Sequence, residues 1–314
     1  MKLTPEIILQ PRPVQVTLLS LITAGLAAFL FAAMPWQWAV GNGVLFTVVS
    51  LLVSLMLYRT KQTRMFEFTP AIVTLFTILA AGGAARVSRF LFDGSGELQL
   101  SEVMNLSLDV LVLLTLLIVL LVAQPIWKVD NPAREMFLIT ILLTLASYCC
   151  PPLLLLIPVI WIIFIGLQSF GFRTWLASLF GVASVALIAA AVLYALNQLR
   201  LPDIYHFGMP FITLSLIVHT HEFIKVIVLG ILIICNIVYQ SLNGYRDDQY
   251  SRVLMNSWSF FAIALVVLYL AYPVNRLLLA ASVMTMLLIF HSTSMRKSWF
   301  VVAQWVIYFV AALL

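Results

Sequence analysis

The chain has 314 residues, 63% of them apolar and only 9% charged, with a mean hydropathy of +1.10 and a net charge of +5. Soluble proteins carry charge on about a quarter of their residues, so this chain lacks the polar coat of a water-soluble globule. Its basic residues form no stripe or face, which argues against a nucleic-acid surface.

In hydrocarbon every backbone N–H and C=O must be satisfied within the protein, which leaves helices or a closed barrel. Barrel strands alternate apolar and polar residues, whereas Leu111–Val122 and Ile227–Cys235 do not. The sequence therefore predicts an all-α, polytopic transmembrane helical bundle. Applying a requirement of about 20 apolar residues per span, helices are expected at 14–34, 38–58, 67–85, 104–126, 135–149, 151–168, 174–197, 222–241, 253–272, 274–292 and 298–313. That makes about eleven spans, several of them short. The first apolar run, Val14–Ala33, exceeds a signal-peptide core of about 7–15 residues and is expected to stay as a span. Segment 208–219 is too short to cross and is expected to be re-entrant or interfacial. The longest polar connectors, 86–103 and 198–207, are too short to fold alone, so 1–314 reads as a single integral membrane domain.

Charge placement orients the bundle. With the N-terminus cytoplasmic, Lys2, Arg12, Arg59, Lys61, Arg64, Lys128, Arg134, Arg173, Arg246, Arg252, Arg296 and Lys297 fall inside. Arg86, Arg89, Arg200, Lys225 and Arg276 fall outside. Twelve of the seventeen basic residues thus share the inner side. Counting 208–219 as a span lowers that to ten.

A few polar groups need a reason. Asp109 sits early in the fourth span, one helical turn after Asn105. It is either a proton or cation site at membrane depth or an interfacial carboxylate in reach of water. In the run from His219 to Lys225, His219 and Glu222 share one helix face, as do His221 and Lys225. The His-x-His spacing does not place two imidazoles on one metal, so an interfacial polar cap competes with a binding role. His291 lies near the inner end of its span, and Arg246, Asp247, Asp248 and Arg252 read as a surface ion-pair cluster. The eight tryptophans fall mostly near span ends, as an aromatic belt does. Cys149, Cys150 and Cys235 suggest neither a disulfide framework nor a metal pair, and no cofactor is implied. There is no GxxxxGK[ST], HExxH or GxSxG. Cys149-Cys150-Pro151-Pro152 reads as a tight outer turn between two spans.

Residues 131–196 carry the most distinctive pattern: two short apolar helices meeting at a Pro-rich turn, then Phe172-Arg173-Thr174-Trp175-Leu176 opening the next helix, then Gly181. This stretch resembles the central region of an uncharacterised multi-pass inner-membrane protein family of Bacteroidota, a domain-of-unknown-function family. Where that family often has an acid between the Arg and the Trp, this chain has Thr174. The resemblance implies a bacterial inner-membrane location and a multi-pass topology, and it implies no reaction. More faintly, the stretch looks like the core of C-type glycosyltransferases that use lipid-phosphate sugars. Those enzymes place a catalytic carboxylate in the first outer loop, which here is Met34-Pro35-Trp36-Gln37-Trp38.

Three function classes follow as expectations. The first is an accessory or structural component of the cell envelope, in contact with membrane lipids and envelope proteins. A lipid-linked glycosyltransferase would use Asp93, Glu97 or Asp203 as base, with Arg86 or Arg200 on a phosphate. A proton- or cation-coupled transporter would use Asp109. His219, His221 and Glu222 complete the set of candidate binding residues.

Overall fold

The computed structural model describes residues 100–195, 249–272 and 276–294, together with positions 48, 52, 226–228, 230–235 and 237–238. Among the described residues all regular structure is helical and there is no strand. The elements are α1 (Leu100–Ala123), α2 (Ala133–Ser147), α3 (Leu156–Gly166), α4 (Phe172–Ala195), α5 (Gln249–Ala271) and α6 (Arg276–Ser294). Two 3-10 turns, Gln124–Ile126 and Pro151–Leu155, follow α1 and precede α3. These elements fall within a few residues of six expected spans, and 226–238 is helical wherever it is described. The expected spans at 14–34, 67–85 and 298–313, and segment 208–219, lie outside the described residues. Of 38–58 only positions 48 and 52 are described.

Among the described residues, two helices are long and apolar enough to cross a membrane: Phe172–Val192 in α4 and Arg252–Ala271 in α5. α2 has 15 residues and α3 has 11.

α1 buries Val112, Leu113, Leu116, Leu117, Val119 and Leu120, a helical spacing that turns one face inward. That face joins Met136, Ile139 and Leu143 of α2, Ile160 and Phe164 of α3, and Phe261, Leu265 and Tyr269 of α5 in one continuous core. α6 enters it through Leu278, Ala281 and Met284. The four residues between α5 and α6 make them antiparallel neighbours, and these two helices pack along each other extensively.

α4 attaches differently. It lies against α2, and its buried residues are small or β-branched: Thr174, Ser178, Gly181 and Val185. Its other sides are apolar and open, with Phe180, Leu187, Ile188, Val192 and Tyr194 all exposed.

Candidate functional site

Of the candidate residues named from sequence, Arg86, Asp93, Glu97, Arg200, Asp203, His219, His221 and Glu222 lie outside the described residues. Asp109 falls on the backbone of α1, in its first half. Among the described residues no group of three His, Cys, Asp or Glu side chains stands close enough to hold a metal ion.

The best-defined polar architecture is one edge of the bundle, where the α1–α2 and α3–α4 connectors meet. The Lys128 N–H donates to the Leu167 carbonyl at 3.2 Å. The Ser169 hydroxyl donates to the Ile126 carbonyl at 2.6 Å and approaches the Leu167 carbonyl at 3.1 Å. α3 ends in a Schellman arrangement: Ser169 N–H reaches the Phe164 carbonyl and Gln168 N–H reaches Ile165, each at 3.0 Å. This places Gln168 at φ 57°, and Lys128 across the seam has φ 58°. Both are left-handed positions that usually go to glycine. The Lys128 ammonium lies 4.5 Å from the centre of the Trp127 ring, a cation–π contact. Phe172 and Trp175 stack at 6.0 Å on the first turn of α4. Arg134 and Arg173 are exposed at the starts of α2 and α4. Aromatic rings beside exposed cations are the residue types that settle at a membrane–water interface.

The second polar feature runs inside the bundle. On α2, Thr140 donates to the Met136 and Phe137 carbonyls, Thr144 to Thr140, and Ser147 to Thr144, at 2.7–3.0 Å. On α4, Ser178 donates to Trp175 and Ser184 to Gly181. Ser257 and Ser259 on α5 and Ser282 and Thr285 on α6 do the same. A hydroxyl bonded to its own helix exposes little polarity to a neighbour, which lets two helices approach closely in a non-aqueous setting. Between helices, the Trp161 Nε1–H donates to the Ser178 hydroxyl at 3.1 Å. The arrangement suits packing.

Sequence reasoning missed the seam between the two connectors and the Trp161–Ser178 bond. The seam's partners are 39 or more residues apart in the chain, and neither Lys128 nor Gln168 carries the glycine that usually announces a left-handed cap.

No family model, no curated protein and no solved structure matches this chain significantly.

Proposed function

We propose that this chain is a multi-pass inner-membrane protein of a bacterial cell envelope, acting as an accessory or structural component and not through chemistry of its own. The observation that carries the membrane reading is α4. Its stretch Phe172–Val192 has a mean hydropathy of 2.2, yet only 17% of it is buried within the protein. The core helix of a soluble protein would be mostly buried. An apolar helix left open along most of its surface needs a solvent that is itself apolar. α5 is the contrast: similarly apolar, it is 56% buried and helps form the core.

The accessory role is supported by the use made of polar groups, since the Ser and Thr hydroxyls at 140, 144, 147, 178, 184, 257, 259, 282 and 285 donate to carbonyls of their own helices. The proposed kinship with the Bacteroidota inner-membrane family is supported by two short helices meeting at Pro151-Pro152 and by α4 opening at Phe172. The finer topology, about eleven spans with a cytoplasmic N-terminus, rests on the apolar runs and the inner bias of the basic residues.

The test is gene deletion followed by complementation with Asp93→Asn, Glu97→Gln and Asp203→Asn. The proposal expects each variant to restore the envelope phenotype as fully as the unchanged chain. Loss of a defined glycan or lipid product that returns only when those acids are intact would overturn it.

A further inference from the structure

The segment from α2 to α3 leaves the connector edge of the bundle and returns to it, as the Lys128–Leu167 and Ser169–Ile126 bonds require. Neither arm reaches across a bilayer. α2 has 15 residues, about 22 Å at 1.5 Å per residue, against a hydrocarbon core of about 30 Å. Arg134 and Glu135 occupy its first turn, so the apolar part from Met136 to Ser147 is about 18 Å long. The return arm, a five-residue 3-10 turn followed by 11 helical residues, covers about 26 Å at most.

α4 serves as a ruler. It starts from the same edge as α2 and runs parallel to it, with Gly181 against Thr140. Seven residues further on, Ser147 ends α2 at the level of Ile188. α4 continues to Ala195, about 10 Å beyond.

The turn itself is built for a place without water. Tyr148 N–H is bonded to the Leu145 carbonyl, Cys149 and Cys150 to Ala146, and Leu153 to Cys150, at 2.9–3.2 Å. Pro151 and Pro152 have no N–H to satisfy. From Met136 through Phe172 there is no Asp, Glu, Lys, Arg or His. At the tip Leu145, Cys149 and Leu155 are exposed. Turns that face water carry polar residues and leave donors to solvent, whereas irregular backbone at membrane depth must close its own hydrogen bonds.

Resting on the membrane reading above, we propose that α2 and α3 form a re-entrant hairpin. It enters and leaves at one membrane face, and its tip presents Leu145, Cys149 and Leu155 to lipid acyl chains. The expected spans at 135–149 and 151–168 then do not cross, which lowers the count of about eleven by two. Orientation is unchanged. The tip carries no charge, so the inner bias of basic residues is the same whether the hairpin crosses or not.

Cys149 is a built-in reporter. The full-length protein carrying Cys150→Ala and Cys235→Ser is labelled at Cys149 with bimane and placed in phosphatidylcholine vesicles. A second protein carries the label at Asn131→Cys, in the exposed α1–α2 connector, with all three native cysteines replaced. The hairpin predicts several-fold stronger quenching of the Cys149 label by lipids spin-labelled in mid-chain than by aqueous iodide, and the reverse at position 131. Iodide quenching at Cys149 equal to that at 131, with little from the lipid, would place the tip at a surface and overturn the hairpin. Protection from both quenchers would overturn lipid contact at the tip. Iodide quenching at both positions, with no quenching by lipid at either or at a label on a third protein carrying Leu187→Cys in α4 as its sole cysteine, would instead remove the membrane reading. As a check independent of labelling, Cys149→Arg should abolish most folded protein in the membrane while Asn131→Arg leaves it unchanged. Equal tolerance of the two would also overturn the proposal.

Discussion

Gly181 meets Thr140 with no room for a side chain between them. A Cβ at 181 would fall on the Thr140 hydroxyl oxygen and within 3.0 Å of the Phe137 carbonyl oxygen. The hydroxyl is itself held by the Met136 and Phe137 carbonyls at 3.0 and 2.9 Å, so it cannot swing aside without losing those bonds. This contact lets α4 lie against α2 and sets their register.

Gly181→Ala should therefore destabilise the protein. Forcing a methyl into a filled contact costs about 1–3 kcal/mol, which outweighs the gain of about 1 kcal/mol from replacing a helical glycine. At Gly230 an added Cβ would meet nothing within 4 Å. There the same change should be neutral or stabilising by up to about 1 kcal/mol. Thermal unfolding of the two variants in detergent checks the contrast.

The Trp161–Ser178 bond should be measurable as a coupling. Ser178 is fully buried, and its hydroxyl both accepts from Trp161 and donates to the Trp175 carbonyl at 2.7 Å. Trp161→Phe leaves that acceptor unfilled, and Ser178→Ala strands the indole N–H, each at a cost of about 1–2 kcal/mol. A double-mutant cycle should return a coupling of about 1 kcal/mol. Strict additivity would mean that the bond does not hold α3 to α4.

Gln168 predicts the opposite sign. Its φ of 57° and exposed side chain make it a helix C-cap without the glycine such a position favours. Gln168→Gly should stabilise by about 1 kcal/mol, and Gln168→Val should destabilise by at least as much. Unfolding midpoints of the pair, measured against the unchanged chain, provide the check.

Legibility in the sequence divides along physical lines. The six described helices of the bundle are where apolar runs predict them, because helix formation in a poor backbone solvent depends on local composition. α4 begins at Phe172 and not at 174, a two-residue difference typical of helix ends. Residues 135–168 read in the sequence as two spans, where we propose a re-entrant hairpin. Span counting reads apolar length and flanking charge, and a hairpin of two short helices with a charge-free tip looks like two short spans on both counts. The connector seam was hidden, since it joins backbone groups whose partners no local pattern names. Of the candidate site residues only Asp109 lies on a described helix, so the candidate site was legible as a set of residue types and not as an arrangement.

The central claim is that the open face of α4 contacts lipid, and Leu187, 71% exposed, is its most direct probe. The protein carrying Leu187→Cys as its sole cysteine is labelled with a fluorophore in phosphatidylcholine vesicles and exposed to spin-labelled lipids and to aqueous iodide. Strong quenching by the lipids with little effect of iodide is the predicted result. Quenching by iodide without quenching by lipid would show that α4 faces water and would contradict the account.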